Sequence, residues 1–327
     1  MPLIRKVLLA AALLLVGAPL AAADRDAPVV RLAVLKFGTV SWLADAIAAN
    51  GLDAAAGYRL EVMALAGAPA TAVAFLSGEA DLIVEDWIWS QRRRDAGEDV
   101  RFAPYSVSLG ALMSRSGVAS LCDLDGGRIG VVGGESDKSW LIYRALSREL
   151  CGFDLAERAE LLFGAPPLMA RQFETGAVDA VSTYWHWAAK LQAAGAHRLL
   201  GAEEAMAALG IVPAPPLVGF VWNADRLAEA EAAAFLASVD AARTLLLHDD
   251  AEWRRLRPRM NAANDAEFLA LRDRFREGIA GAAWSDDRLA AARRLHALLT
   301  ALGGPGFATA GALDAEGFAA PAPANGR

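Results

Sequence analysis

Four tryptophans in two matching pairs are the residues best placed to do chemistry in this chain, and that chemistry is the gripping of a small solute. Trp42 and Trp140 stand 98 positions apart, and so do Trp87 and Trp185. An indole offers a large flat surface with little conformational entropy to lose, which suits a planar or partly apolar molecule. Core packing is the competing use of each ring, and for Trp89 and Trp222 it is the preferred one. Glu85 and Asp86 end an apolar run, where a carboxylate can accept hydrogen bonds from an amine or amide, or cap the helix that carries Trp87. Gly133 to Ser139 joins another apolar run to a helix. Backbone N–H groups at such a helix start suit a carboxylate, sulfonate or phosphate, with Ser136, Asp137 and Lys138 nearby, and Lys138 adds charge. The same turn reads equally well as a capped helix with Ser136 at the N-cap. His186 follows Trp185 and could hydrogen-bond a ligand or serve structure alone.

Catalytic signals are poor. The sequence has neither a G-x-S-x-G elbow nor an H-E-x-x-H helix, and its glycines fit neither the P-loop nor the dinucleotide fingerprint. His186, His197, His248 and His296 are too scattered to suggest a metal cluster. No catalytic residue, metal ligand or cofactor is therefore expected.

The elements that must position these residues alternate in type. The pattern predicts strand 30–35, helix 41–50 with Ser41 at its N-cap, strand 59–65, helix 69–77 opened by Pro69, and strand 81–84. Strands alternating with helices imply an α/β fold with a mostly parallel sheet. The order then repeats. Gly67-Ala68-Pro69, Gly78, Asp81 and Trp87 recur as Gly164-Ala165-Pro166, Gly176, Asp179 and Trp185, which points to two lobes of similar build. The tryptophans should then face each other across an inter-lobe cleft, beyond the carboxyl ends of the strands where ligands bind open α/β sheets. Segments 108–114 and 217–223 should cross between lobes. The expected division is lobe one at 24–113 plus 218–302, lobe two at 114–217, and a loose tail at 303–327 rich in Gly, Ala and Pro. Amphipathic helices near 228–247, 265–279 and 286–302 should pack on lobe one. Arg92-Arg93-Arg94 reads as a solvated helix end.

Arg5 and Lys6, the apolar run 7–20 and Ala21-Ala22-Ala23 read as a secretory signal peptide at 1–23, cleaved after Ala23. No cysteine precedes Cys122 to accept an N-terminal lipid, so a soluble periplasmic monomer is expected. The net charge of −7, more negative once the signal is removed, argues against nucleic acid or an anionic membrane as partner. A hydrophobic fraction of 55% argues against disorder. Cys122 precedes predicted strand 128–132, and Cys151 ends the helix that returns antiparallel to it. The two thiols should be neighbours, and a disulfide between them would contribute about 3 kcal/mol.

The order of elements, the Gly-x-x-Asp segments 78–81 and 176–179, and the run LCDLDGGRIG from Leu121 to Gly130 resemble the SsuA-like substrate-binding proteins of nitrate, sulfonate and taurine importers, a family that includes THI5-like pyrimidine-precursor binders. The resemblance is clearest over 30–223. It implies a type II periplasmic-binding-protein fold, two lobes closing by hinge motion on a cleft, and delivery of a sulfonate, nitrate or pyrimidine-like solute to an ABC permease in the inner membrane. It also implies that the turns Lys36 to Trp42, Glu85 to Trp87 and Gly133 to Trp140 line the cleft. Loss of Trp87 or Trp185 is expected to weaken binding. The family's pyrimidine synthases are the enzymatic alternative, but their cysteine-rich motif has no counterpart here. A ligand-loaded periplasmic sensor would use the same cleft.

Overall fold

Buried apolar side chains run nearly unbroken from Val30 to Val34, as a strand covered on both faces requires, and this strand (β1, Val29–Leu35) pairs in parallel with Arg59–Leu65 (β2). The computed structural model describes residues 27–304, 306–308, 313–314 and 317–318. The expected signal peptide lies outside the described residues.

Between β1 and β2 run α1 (Val40–Ala49) and the single turn α2 (Leu52–Ala55). Then follow α3 (Ala68–Ser77), β3 (Leu82–Asp86), α4 (Trp87–Asp95), β4 (Val100–Ser106) and β5 (Gly110–Ser114). The second half continues with β6 (Arg128–Val132), α5 (Lys138–Cys151), α6 (Leu155–Arg158), β7 (Glu160–Gly164) and α7 (Pro166–Glu174). Next come β8 (Ala180–Tyr184), α8 (Trp185–Ala193), β9 (His197–Gly201), α9 (Ala202–Ala208) and β10 (Val218–Asn223). The chain ends in helices α10 (Glu229–His248), α11 (Asp250–Leu256), α12 (Asp265–Ala280) and α13 (Asp286–Gly303).

The strands form two five-stranded sheets, in the orders β2-β1-β3-β10-β4 and β7-β6-β8-β5-β9. Each sheet has three parallel strands followed by the crossing strand, β10 or β5, antiparallel to its neighbours. The sequence echo is thus an echo of topology. Its Gly-x-x-Asp segments have a structural cause. Asp81 accepts from the Arg31 backbone N–H at 2.8 Å and Asp179 from that of Arg128 at 2.9 Å, and each carboxylate also holds its arginine's guanidinium. The same bridge therefore ties the first strand of each sheet to the segment entering the third. Gly78 and Gly176, both left-handed, end the preceding helical turns.

Two helix starts differ from expectation. Thr39, not Ser41, is the N-cap of α1, and Ser41 Oγ instead donates to the Gly38 carbonyl at 2.6 Å. Asp137, not Ser136, caps α5, because its shorter reach to the Trp140 N–H (3.1 Å) satisfies the orphan donor. Cys122 and Cys151 are joined in a disulfide with Cα atoms 5.4 Å apart.

The C-terminal helices do not all keep to the first sheet. Helix α10 packs on α1 and α2, but α12 lies along α8 and α13 along α5. The reason is apolar area on both sides. Ala291, Ala292, Leu295 and Leu299 of α13 are fully buried in one core that also takes Phe75, Ile83 and Trp87 from beside the first sheet and Ile129 and Trp140 from beside the second. Each of the two leucines contributes about 1.5–3 kcal/mol by leaving water. Parts of the expected tail are also packed: Leu313 is buried, Phe318 stacks on Trp284 at 4.7 Å, and the Gly317 carbonyl accepts from the Phe102 N–H. Arg94 pairs with Asp314 and Arg92 donates to the Gly306 carbonyl, so the arginine run anchors this segment.

Candidate ligand-binding site

The carboxyl ends of β1, β3 and β8 converge on a cavity of about 280 Å³ between the two sheets. The first sheet supplies Leu35, Thr39 and Val40 after β1, Glu85 and Asp86 at the end of β3, and Tyr105 and Ser106 at the end of β4. The second half supplies Asp137, Lys138 and Ser139 from the start of α5, and Tyr184, Trp185 and His186 from the junction of β8 with α8. The crossing segments close it. Leu217 accepts from the Trp87 N–H at 3.4 Å and Leu109 from the Trp185 N–H at 3.0 Å, a second pair of equivalent bonds, and both leucines line the cavity.

Of the residues singled out from sequence, Asp86, Asp137, Lys138, Trp185 and His186 line this cavity. Trp42 stands behind it, edge-on to Trp185 with ring centroids 6.1 Å apart and packed on Phe275, so it braces two lining rings. Trp87 and Trp140 do not line it. Both are buried in the core, since helix starts at equivalent places can still send their side chains into the sheet-covering layer. Lys36 is exposed beside Phe37, and Ser136 borders a smaller polar recess with Arg92 and Phe307. Sequence reasoning missed Tyr105, Phe275 and Ile279. Tyr105 lies on a strand that Pro104 disguises, and the other two lie on α12, whose stripe reaches the cavity only through its packing on α8.

The turn before α5 is already filled. Asp137 occupies the helix start, and a Cβ on Gly133, whose φ is +89°, would come within 2.8 Å of its Oδ2. An L side chain there would be strained as well as crowded. Asp86 likewise caps α4 by accepting from the Trp89 N–H at 2.8 Å, and its other oxygen takes a 2.6 Å ion pair from Lys138 across the cavity. Burial opposes the charge on Lys138, but Asp86 outweighs it and the ammonium pKa is raised overall. Burial, reinforced by the Asp86 charge, pushes the Glu85 carboxyl up to about 7. Burial pushes Asp137 up to about 6 and His186 down to about 4. The Tyr105 hydroxyl is buried without a hydrogen-bond partner. No group of His, Cys, Asp and Glu suited to hold a metal ion occurs among the described residues.

No protein-family model matches the sequence, and no curated protein matches it. Solved structures do. The alkanesulfonate-binding protein SsuA of Xanthomonas axonopodis pv. citri, solved with MOPS bound, superposes with a TM-score of 0.67 at 19% identity, covering 89% of this chain and 98% of that one. The chain has the fold of these binding proteins. The periplasmic aliphatic sulphonate binding protein SsuA of Escherichia coli gives a TM-score of 0.64 at 16% identity, over 84% of this chain and 87% of that one. The ligand-binding component of an ABC-type import system of Staphylococcus aureus, solved with zinc, gives 0.65 at 13%, over 90% and 97%. The architecture is therefore the type II, two-lobed one with its cavity between lobes, as the motifs implied.

Proposed function

We propose that the protein is the periplasmic solute-binding component of an ABC importer, a monomer that captures a small organic molecule between its lobes and hands it to an inner-membrane permease. The observation that carries this reading is the cavity walled by equivalent elements of both sheets and lined mostly by apolar side chains with a few convergent polar groups, the usual character of a small-molecule site. The import components among the structural neighbours and the signal-like start of the sequence support it. The absence of a nucleophile–base pairing among the lining residues favours binding over catalysis. The lobes are the two sheets with their covering helices, and the links between them, 107–109 and 209–217, are the crossings about which they move. Trp185 is the aromatic contact, braced by Trp42.

A thermal-shift and tryptophan-fluorescence screen of sulfonates, nitrate, pyrimidines, aromatic acids and amines tests this. A solute that stabilises the protein, with affinity reduced in Trp185→Ala, is the expected result. If no small solute stabilises the protein, or if the variant binds as well as the parent, the reading falls.

A further inference from the structure

We infer that the solute is an organic cation, an amine or cationic nitrogen heterocycle on an apolar body, with Glu85 and Asp137 as its counter-charges. This rests on the solute-capture reading above. Three carboxylates face the cavity and one cation, Lys138, which Asp86 already engages at 2.6 Å. The pair cancels, leaving in excess Glu85 and, partly offset by the α5 helix start that it caps, Asp137. Arg92 stands behind Asp86 toward the smaller recess and donates to the Gly306 carbonyl rather than lining the cavity.

The neutral polar groups fit the same partner. Tyr105, 4% exposed, adds its ring to the cavity wall, while its hydroxyl is buried away from solvent. His186, kept neutral by burial, offers a ring nitrogen as acceptor. The helix starts of α4 and α5, which would hold an anion, are taken by the chain's own Asp86 and Asp137. Helices α1, α3 and α8 have no side-chain cap and their starts line the cavity at Thr39, Ala68 and Trp185, so N–H groups there beyond that of Trp185 can serve a carbonyl or hydroxyl on the ligand, but no uncommitted side-chain cation lines the cavity beside them. Tyr184 and Trp185 line the cavity with aromatic rings, whose faces attract a cation, and Leu109, Leu217, Phe275 and Ile279 supply the apolar wall. A sulfonate brought here would lose its hydration and face two carboxylates.

The test uses matched solutes with one body and three heads: 2-phenylethylammonium, 2-phenylethanol and 2-phenylethanesulfonate, titrated calorimetrically into the protein and its Glu85→Gln variant at pH 8 and pH 5.5. The expected result is ammonium binding at least tenfold tighter than sulfonate at pH 8. That preference should shrink at least tenfold in Glu85→Gln and weaken at pH 5.5, where Glu85 is protonated. Tighter binding of the sulfonate, or an ammonium affinity indifferent to Glu85→Gln in a variant that melts cooperatively, overturns the cation assignment and leaves solute capture standing. Binding of none of the three at millimolar concentration, together with a blank result in the wider screen above, overturns both.

Discussion

Replacing Glu85 by Gln should make the ligand-free protein more stable at pH 8 and leave it unchanged near pH 4.5. The ordinary carboxyl value of 4.5 rises to about 7 in the folded chain because burial removes the charge from water and Asp86 repels it. Below 4.5 the group is neutral in both folded and unfolded chains and costs nothing. Between 4.5 and about 7 the unfolded chain releases its proton while the folded one keeps it, so stability is lost progressively as pH rises. Each pH unit of that window is worth about 1.4 kcal/mol, giving a limit of about 3 kcal/mol above pH 7, and cavity water reduces it to about 2. Asp154 and Asp179, whose pKa values are lowered by their arginine partners against any cost of burial, act in the opposite sense at lower pH. They are common to both proteins and cancel in the difference. Urea unfolding of parent and variant at pH 4.5, 6 and 8 reads that difference directly from the midpoints. A gap that is the same at all three values, or that favours the parent at pH 8, refutes the account of Glu85 as a strained carboxylate held for a ligand.

Trp87→Ala should cost about 3–5 kcal/mol of unfolding free energy, because the indole is fully buried in the core, and denaturant titration measures it. Trp185→Ala should instead lower affinity for the captured solute by at least about 1 kcal/mol, read by calorimetry, with a smaller effect on stability. Lys138→Met should destabilise the protein by up to about 3 kcal/mol by leaving Asp86 without its ion-pair partner, and adding Asp86→Asn should recover most of that in a double-mutant cycle. Cys122→Ser with Cys151→Ser should lower stability by about 3 kcal/mol, the closure entropy for a bridge spanning 29 positions, with thiol counting on the unfolded parent confirming the bond.

Elements written in local pattern were legible, and those decided by three-way packing were not. Strand 59–65 and strand 128–132 carry their limits in their own short apolar runs, and the paired Gly-x-x-Asp segments announced the duplication because each aspartate makes the same bridge to a first-strand arginine. The tryptophans show where that legibility stops. Equivalent positions guarantee equivalent helix starts, but the direction of an indole depends on what lies across from it. Trp87 turns toward α13 and His296, 209 residues on, and Trp185 toward the cavity and Phe275, 90 residues on. At the turn before α5 the structure shows the capped-helix reading, with Asp137 as the cap. A turn that offers N–H groups to an anion offers them equally to its own next aspartate, and Asp137 takes the Trp140 N–H. That substitution reverses the sign of the site. A helix start filled from within, a lysine claimed by Asp86, and two carboxylates raised by burial leave the cavity short of positive charge, so the partner that completes it must bring that charge with it.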